Sequence, residues 1–380
     1  MNQKSCQKSK KRRSKGRTAV ATAATLLLII AAAAILIYKD YFTSDSLKSL
    51  FKNEASQESE SEPFTYEAGA DQVFARAGNG LAVASTTGMQ LIDSDGNAVI
   101  RQVFSMDIPA VAASKKHCAF YDIGGTTLRL ASFDGKYTEL DTERPIISVT
   151  ISSGAYLCVT TEETGYKGKV TVYDVSLTPV YQWFSGSGYV LSAAVGPDNS
   201  SLAVLCADGE GGVIRFFSLD SEKERGSFTA PAELFVDLYY MGDGRLCAIS
   251  ENRLVFLNSK GEMVNSFDFG ENYLIDYEFS KDFTAVILGK YRSGSEGRLL
   301  TVDSNGQVLG EIPLQRDVLS LSAWDRQLLV LYSDSLYLYT QELSEKTVRQ
   351  GIWGAKKAIL REKGDALLLS AYSAELLNLG

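Results

Sequence analysis

The chain is poor in the residues that enzymes use for proton transfer. It holds one histidine, His117, in 380 residues. A catalytic Cys–His pair needs convergent side chains. His117 and its neighbour Cys118 lie side by side in a β run, where adjacent residues point to opposite faces. No group of His, Cys and acidic residues has the close spacing of a zinc site. The phosphate-cradling G-x-x-x-x-G-K-[ST] loop is missing, and so is the G-x-S-x-G nucleophile elbow. Gly124-Gly125, Gly211-Gly212 and Gly186 with Gly188 read as hairpin turns. Proline is scarce, at 7, and beyond residue 63 no long segment has helical period. Runs of β-branched and aromatic residues take its place, which sets the class as all-β.

Acid is absent from the first seventeen residues, which carry eight Lys and Arg. The whole chain is −8, so the remainder carries −16. An acidic domain of that size argues against nucleic acid as a partner, which calls for a basic face. The basic start has another meaning. It precedes AVATAATLLLIIAAAAILIY (19–38), twenty residues without a charge. At helical rise that is about 30 Å, the thickness of a bilayer's hydrocarbon core. A cleaved signal peptide has a shorter apolar stretch that ends in a small-residue cleavage site. Here Tyr38 to Phe42 follow, and residues 19–38 read as an uncleaved transmembrane signal anchor. Positive residues stay on the cytoplasmic side. The expected order is therefore a basic cytoplasmic tail (1–18), the anchor (19–38), an acidic Ser/Glu-rich stalk (39–63) and an extracytoplasmic domain (64–380).

Four of the five cysteines, Cys118, Cys158, Cys206 and Cys247, fall in that domain; Cys6 does not. An even number outside the membrane permits a disulfide framework. Their sequence context argues otherwise. Each sits in an apolar run at an equivalent place in successive repeats (HCAFY, YLCVT, VLCAD, RLCAI). Neighbouring repeats would hold these positions too far apart to bridge. Buried thiols acting as small hydrophobes are expected.

The repeat is about 40 residues long. Its clearest marker is a strand ending in a turn of Asp, Asn, Ser or Gly, as in QLIDSDGN (90–97), LVFLNSKGE (254–262) and LLTVDSNGQ (299–307). Two strands precede each marker and a more polar one follows it. Four antiparallel strands per repeat is the pattern of a β-propeller. Seven quartets are complete between about 71 and 350. The last three runs, AKKAILRE, DALLLSA and AELLNLG, lack a fourth strand, and PFTYEAG (63–69) is unassigned at the other end. Closure of the ring by this N-terminal strand makes eight blades; seven is the alternative if two weak quartets merge.

The first strands carry a polar residue at an equivalent place: Ser148, Ser192, Asp237, Asp276 and Ser320. First strands line a propeller's axis, so these groups are expected near the channel, each capping a backbone N–H. A cation shared by Asp237 and Asp276 is the alternative. Trp183, Trp353, Tyr239, Tyr240 and Tyr291 are candidates for a partner site or for blade packing.

With its basic-plus-apolar start, acidic stalk and D-S-D-G and D-S-N-G turns, the chain resembles a family known only as a domain of unknown function. These are single-span, outward-facing β-propellers of Gram-positive bacteria. It is more distantly similar to quinoprotein-type and WD-type propellers. It lacks the tryptophan-rich docking motifs of the first and the Gly-His…Trp-Asp pairs of the second, so no family active site carries over. The expected function is a non-enzymatic scaffold at the outer face of the cytoplasmic membrane. Its expected partner is another envelope protein or a cell-wall component, with no cofactor and no nucleic acid. The alternative is a metal-dependent hydrolase or lactonase with its site in the channel.

Overall fold

Among the described residues, thirty-two strands pair into eight antiparallel sheets of four. The computed structural model describes residues 63–66, 69–294, 296–362 and 364–379, all within one unit, Glu60–Gly380. The expected basic tail (1–18), the anchor (19–38) and all but the last residue of the stalk (39–63) lie outside the described residues. The sheets are the eight blades of a propeller, numbered here from the first complete one.

The innermost strands of blades one to eight are Val73–Ala77, Pro109–Ala113, Ile146–Ile151, Tyr189–Val195, Phe235–Tyr240, Tyr273–Phe279, Ser320–Trp324 and Lys357–Leu360. In seven blades the four strands follow one another in sequence. The eighth takes its outer strand from the other end of the chain, where Phe64–Thr65 pairs with Ala374 and Ser373. The closing strand lies where the run 63–69 places it, but it is only two residues long. Tyr66 then leaves the ladder and is buried, its N–H donating to the Tyr372 carbonyl and its hydroxyl to Ser370 O at 2.6 Å.

Burial follows position within each blade. The second strands are buried almost throughout, as in Gly80–Ser85, Leu246–Ser250 and Phe283–Gly289. Each is covered by a neighbouring blade on both faces, which is why these runs are apolar without alternation. The fourth strands are mostly exposed. The core is accordingly divided. Eight apolar clusters fill the eight spaces between adjacent blades, and the one at the seam packs Leu81, Val83 and Ile92 against Ile359, Leu367 and Leu369. A chain of this length thus avoids a single oversized core by adding interfaces. The four cysteines of the domain are free and buried in these layers.

The topology fixes two faces. First and third strands run one way and second and fourth the other. The second-to-third turns and the links between blades therefore share one face, called here the link face. The first-to-second and third-to-fourth turns share the opposite one. Phe64 begins a fourth strand and so enters from the opposite face, where its ring packs on Gly96 in the third-to-fourth turn of blade one.

Candidate docking face and channel mouth

Large apolar side chains are exposed mainly on the link face. Trp353 is 75% exposed on the link from blade seven to blade eight. Tyr166, Tyr189, Leu234, Tyr291, Leu319 and Tyr372 are exposed on links, second-to-third turns or the strand ends beside them. The exceptions, Val175, Val180, Met263, Val264 and Val308, belong to outer strands or the turns that lead into them. Apolar residues scattered singly over a surface need no explanation, but segregation to one face points to an interaction surface.

One structural device contributes strongly. In blades three to six the innermost strand bulges near its start, with the register shifting between Ile146 and Ser148, Val190 and Ser192, Phe235 and Asp237, and Leu274 and Asp276. A bulge leaves one residue unpaired and re-aims its side chain. The unpaired residues are Ile147, Leu191, Val236 and Ile275. Leu191, Val236 and Ile275 are exposed, and Ile147 is half-buried. Four consecutive blades thus set an arc of aliphatic side chains around half of the channel mouth.

The expected polar residues come directly after these bulges. Asp237 accepts the Leu238 N–H at 2.8 Å and Asp276 the Tyr277 N–H at 2.8 Å, so both carboxylates cap backbone as expected. The Tyr277 hydroxyl donates to the second oxygen of Asp237 at 3.2 Å. Burial raises the pKa of both carboxyls. Ser148 differs from the expectation: its buried hydroxyl has no hydrogen-bond partner among the described residues. Ser320 differs too. Its strand has no bulge, and its hydroxyl accepts the Ala358 N–H of the next blade at 3.0 Å. No group of three or more His, Cys, Asp or Glu among the described residues could hold a metal ion.

Deeper in the channel lies a cross-brace of residues that no motif in the sequence marks. Arg76 of blade one donates to the carbonyls of Leu360 in blade eight, at 3.0 Å, and Ala323 in blade seven, at 3.1 Å. Its guanidinium lies 3.9 Å from the centre of the Trp324 ring, within cation–π range. Glu278 of blade six accepts the Ala323 N–H at 3.2 Å, and Lys357 reaches the Phe74 carbonyl at 3.4 Å. Burial pushes the Glu278 carboxyl up to about 7, against the opposing fields of Lys357 and Arg76. By surface area Glu278 is only half-buried. Part of its surface opens on the channel, but protein surrounds it and keeps it from bulk solvent. A carboxyl titrating near neutrality is a recognised mark of a functional site. Here its hydrogen-bond partner is main chain of the next blade, which is what a brace requires.

His117 begins a second strand, half-buried, with its pKa lowered by burial. Cys118 faces the layer between blades one and two. Of the candidate aromatics, Trp353 and Tyr291 are exposed on the link face. Trp183 packs against Phe217 at 5.1 Å, and Tyr239 stacks on Phe279 at 5.3 Å, so both serve blade packing. Tyr240 packs against the layer between blades four and five.

Eight four-stranded blades closed by an N-terminal strand define a β-propeller scaffold of WD40- and BamB-like fold. Solved structures agree. Sqt1 of Saccharomyces cerevisiae matches with a TM-score of 0.61 and 12% identity, over 83% of this chain and 98% of that one. The C-terminal WD40 domain of Sif2 matches with 0.58 and 12%, over 83% and 99%. BamB from Moraxella catarrhalis matches with 0.55 and 13%, over 84% and 99%. At such identities the likeness concerns the fold alone. Among curated protein sequences, none matches. The chain belongs to the family of unknown function DUF5711, whose model matches residues 52–352.

Proposed function

We propose that this propeller is an interaction scaffold of the cell envelope, tethered at the outer face of the cytoplasmic membrane by residues 19–38, that docks an envelope protein on its link face. The observation that carries this reading is the segregation of exposed apolar side chains to that face, including the arc of Leu191, Val236 and Ile275. Aromatic and aliphatic anchors in a polar surround are what protein interfaces use. The point of entry of the chain supports the reading. Phe64 enters from the opposite face, so a tether upstream need not cross the docking surface.

The test is site-specific photo-crosslinking in intact cells. A crosslinker at Val236 or Trp353 is expected to capture one discrete protein. The same group at Val308, on an outer strand, captures none, and Leu191→Asp abolishes capture from Val236. Capture of cell-wall polymer in place of protein, or equal capture from Val308, overturns the reading. So does metal-dependent turnover of an ester or lactone by the purified chain. Protease added to intact protoplasts checks the topology: it should remove the propeller, and its survival would place the domain inside.

A further inference from the structure

The aliphatic arc ends in a cleft. Beside Ile275 in blade six, a recess of about 400 Å³ opens between the second-to-third turn of that blade and the link 314–318. Ile275, Ile287, Leu314 and Val318 supply its apolar walls. The link is fixed at both ends, Leu314 N–H to the Gly297 carbonyl at 2.8 Å and Leu319 N–H to the Leu331 carbonyl at 2.8 Å, so the cleft is built into the fold.

Its charge is one-sided. Asp276, Glu296 and Asp317 line it, and Arg316 is the one base among the lining residues. That base is already engaged. Arg316 pairs with Asp334 at 2.6 Å, and its guanidinium lies over Tyr332, 4.6 Å from the ring centre. Glu296 is paired with Lys290 at the outer edge. Asp317 makes no ion pair or side-chain hydrogen bond among the described residues, and Asp276 accepts only its own neighbouring N–H. Neither carboxylate is held in an ion pair: Asp276 feels only the field of Lys357 of blade eight, which offsets part of the cost of its burial, and Asp317 stands exposed at the rim of the recess. Burial already raises the Asp276 pKa, and an incoming cation would relieve that cost. A group with an aliphatic stem and a compact charged head matches such walls. Lysine has that form, whereas the planar fork of arginine is suited to paired oxygens.

Resting on the docking reading above, we propose that the cleft between blade six and the link 314–318 receives a lysine side chain from an extended, aliphatic segment of the docked protein. The neighbouring arc of Ile275, Val236 and Leu191 takes the apolar residues of that segment.

The full-length chain would be titrated by calorimetry with a capped hexapeptide, SVIKIS, and with the same peptide carrying norleucine or arginine in place of lysine. The lysine peptide is expected to bind at least tenfold more tightly than the norleucine peptide. Asp276→Asn and Asp317→Asn should each weaken it about three- to tenfold and leave the norleucine peptide unchanged. Asparagine at 276 can still accept the Tyr277 N–H, so the fold is retained, and unchanged melting confirms that. Equal binding of the norleucine or arginine peptide, or no binding of the lysine peptide, overturns the proposal. So does calcium chloride alone raising the melting temperature in a manner that Asp276→Asn removes. The wider docking reading is judged separately: capture from Val236 with a failed lysine titration sinks the cleft and keeps the face.

Discussion

Arg361 of blade eight reaches across the seam and donates to the Asn79 carbonyl of blade one at 2.7 Å. The same nitrogen reaches Ser94 O at 3.2 Å, in another turn of blade one. The other side of the guanidinium makes a two-pronged pair with Asp365, both contacts at 2.8 Å. This arginine is 4% exposed. A clasp at this point closes a ring whose closing strand is only two residues long. Arg361→Met would leave Asp365 and two turn carbonyls without their donor. Removal of one partner from a buried pair costs about 3–5 kcal/mol. The urea midpoint should fall accordingly, and Asp365→Asn in the same chain should recover part of the loss. A change below about 1 kcal/mol would show that the seam is held elsewhere.

The channel brace gives stability a pH dependence. A free glutamate titrates near 4.5, whereas Glu278 in the folded chain is pushed up to about 7. Between those values the folded state holds a proton that the unfolded state has lost. The contribution of Glu278 is therefore fully present below about 4.5 and is lost as pH rises through 7. Each tenfold difference in proton affinity between the two states is worth about 1.4 kcal/mol, which puts the fall at about 3.5 kcal/mol at most. Partial exposure of the carboxylate to the channel lets solvent screen it and reduces the fall further. Asp237 and Asp276, also raised, add slope of the same sign that begins at lower pH. Glu278→Gln should flatten the decline between pH 5 and 8 in urea denaturation. An unchanged slope would mean that another group carries it.

Thiol chemistry tests the layers between blades. Cys118, Cys158, Cys206 and Cys247 are at most 1% exposed. Burial raises all four, Cys118 and Cys247 to about 12 and Cys206 to about 11. The thiolate is the reactive form, so these groups are protected by both access and ionisation. In a Cys6→Ser chain at pH 8, a disulfide reagent should label none of them within minutes and all four in denaturant. Prompt labelling of one would mark an interface that opens locally.

The blades were legible in the sequence because each hairpin turn needs its own residues and each buried strand needs an apolar run. LVFL before Asn258 and the Lys260-Gly261 turn shows both demands at once. The equivalent cysteines were legible for the same reason. The docking arc was not. Ile147, Leu191, Val236 and Ile275 sit in runs apolar at successive positions, where alternation no longer reports facing. A bulge of one residue leaves no mark in composition. The brace was hidden for another reason: Arg76 and Ala323 are 247 residues apart, and only ring closure brings them together.

Close approach of main chain sets the last prediction. Gly211 opens a third strand with φ of 153°, and an added Cβ there would lie 2.3 Å from the Ala230 carbonyl oxygen. Neither contact nor conformation suits an L side chain. Gly209, in the same hairpin, has open space around it. Gly211→Ala should therefore cost about 2–4 kcal/mol, backbone strain plus displacement, while Gly209→Ala stays within about 0.5 kcal/mol of the parent. Urea midpoints compare the two directly, and equal midpoints would refute the strain argument. The consequence reaches the docking face. The Gly212 N–H donates to the Glu233 carbonyl at 2.7 Å, and the Ala232 N–H to the Glu210 carbonyl at 2.7 Å. These bonds hold the link that carries Leu234 and leads into the bulge at Val236. A shift of Gly211 moves that link, so Gly211→Ala should also reduce capture from Val236 at temperatures where the variant remains folded. Retention of full capture alongside lost stability would separate the hairpin from the face it supports.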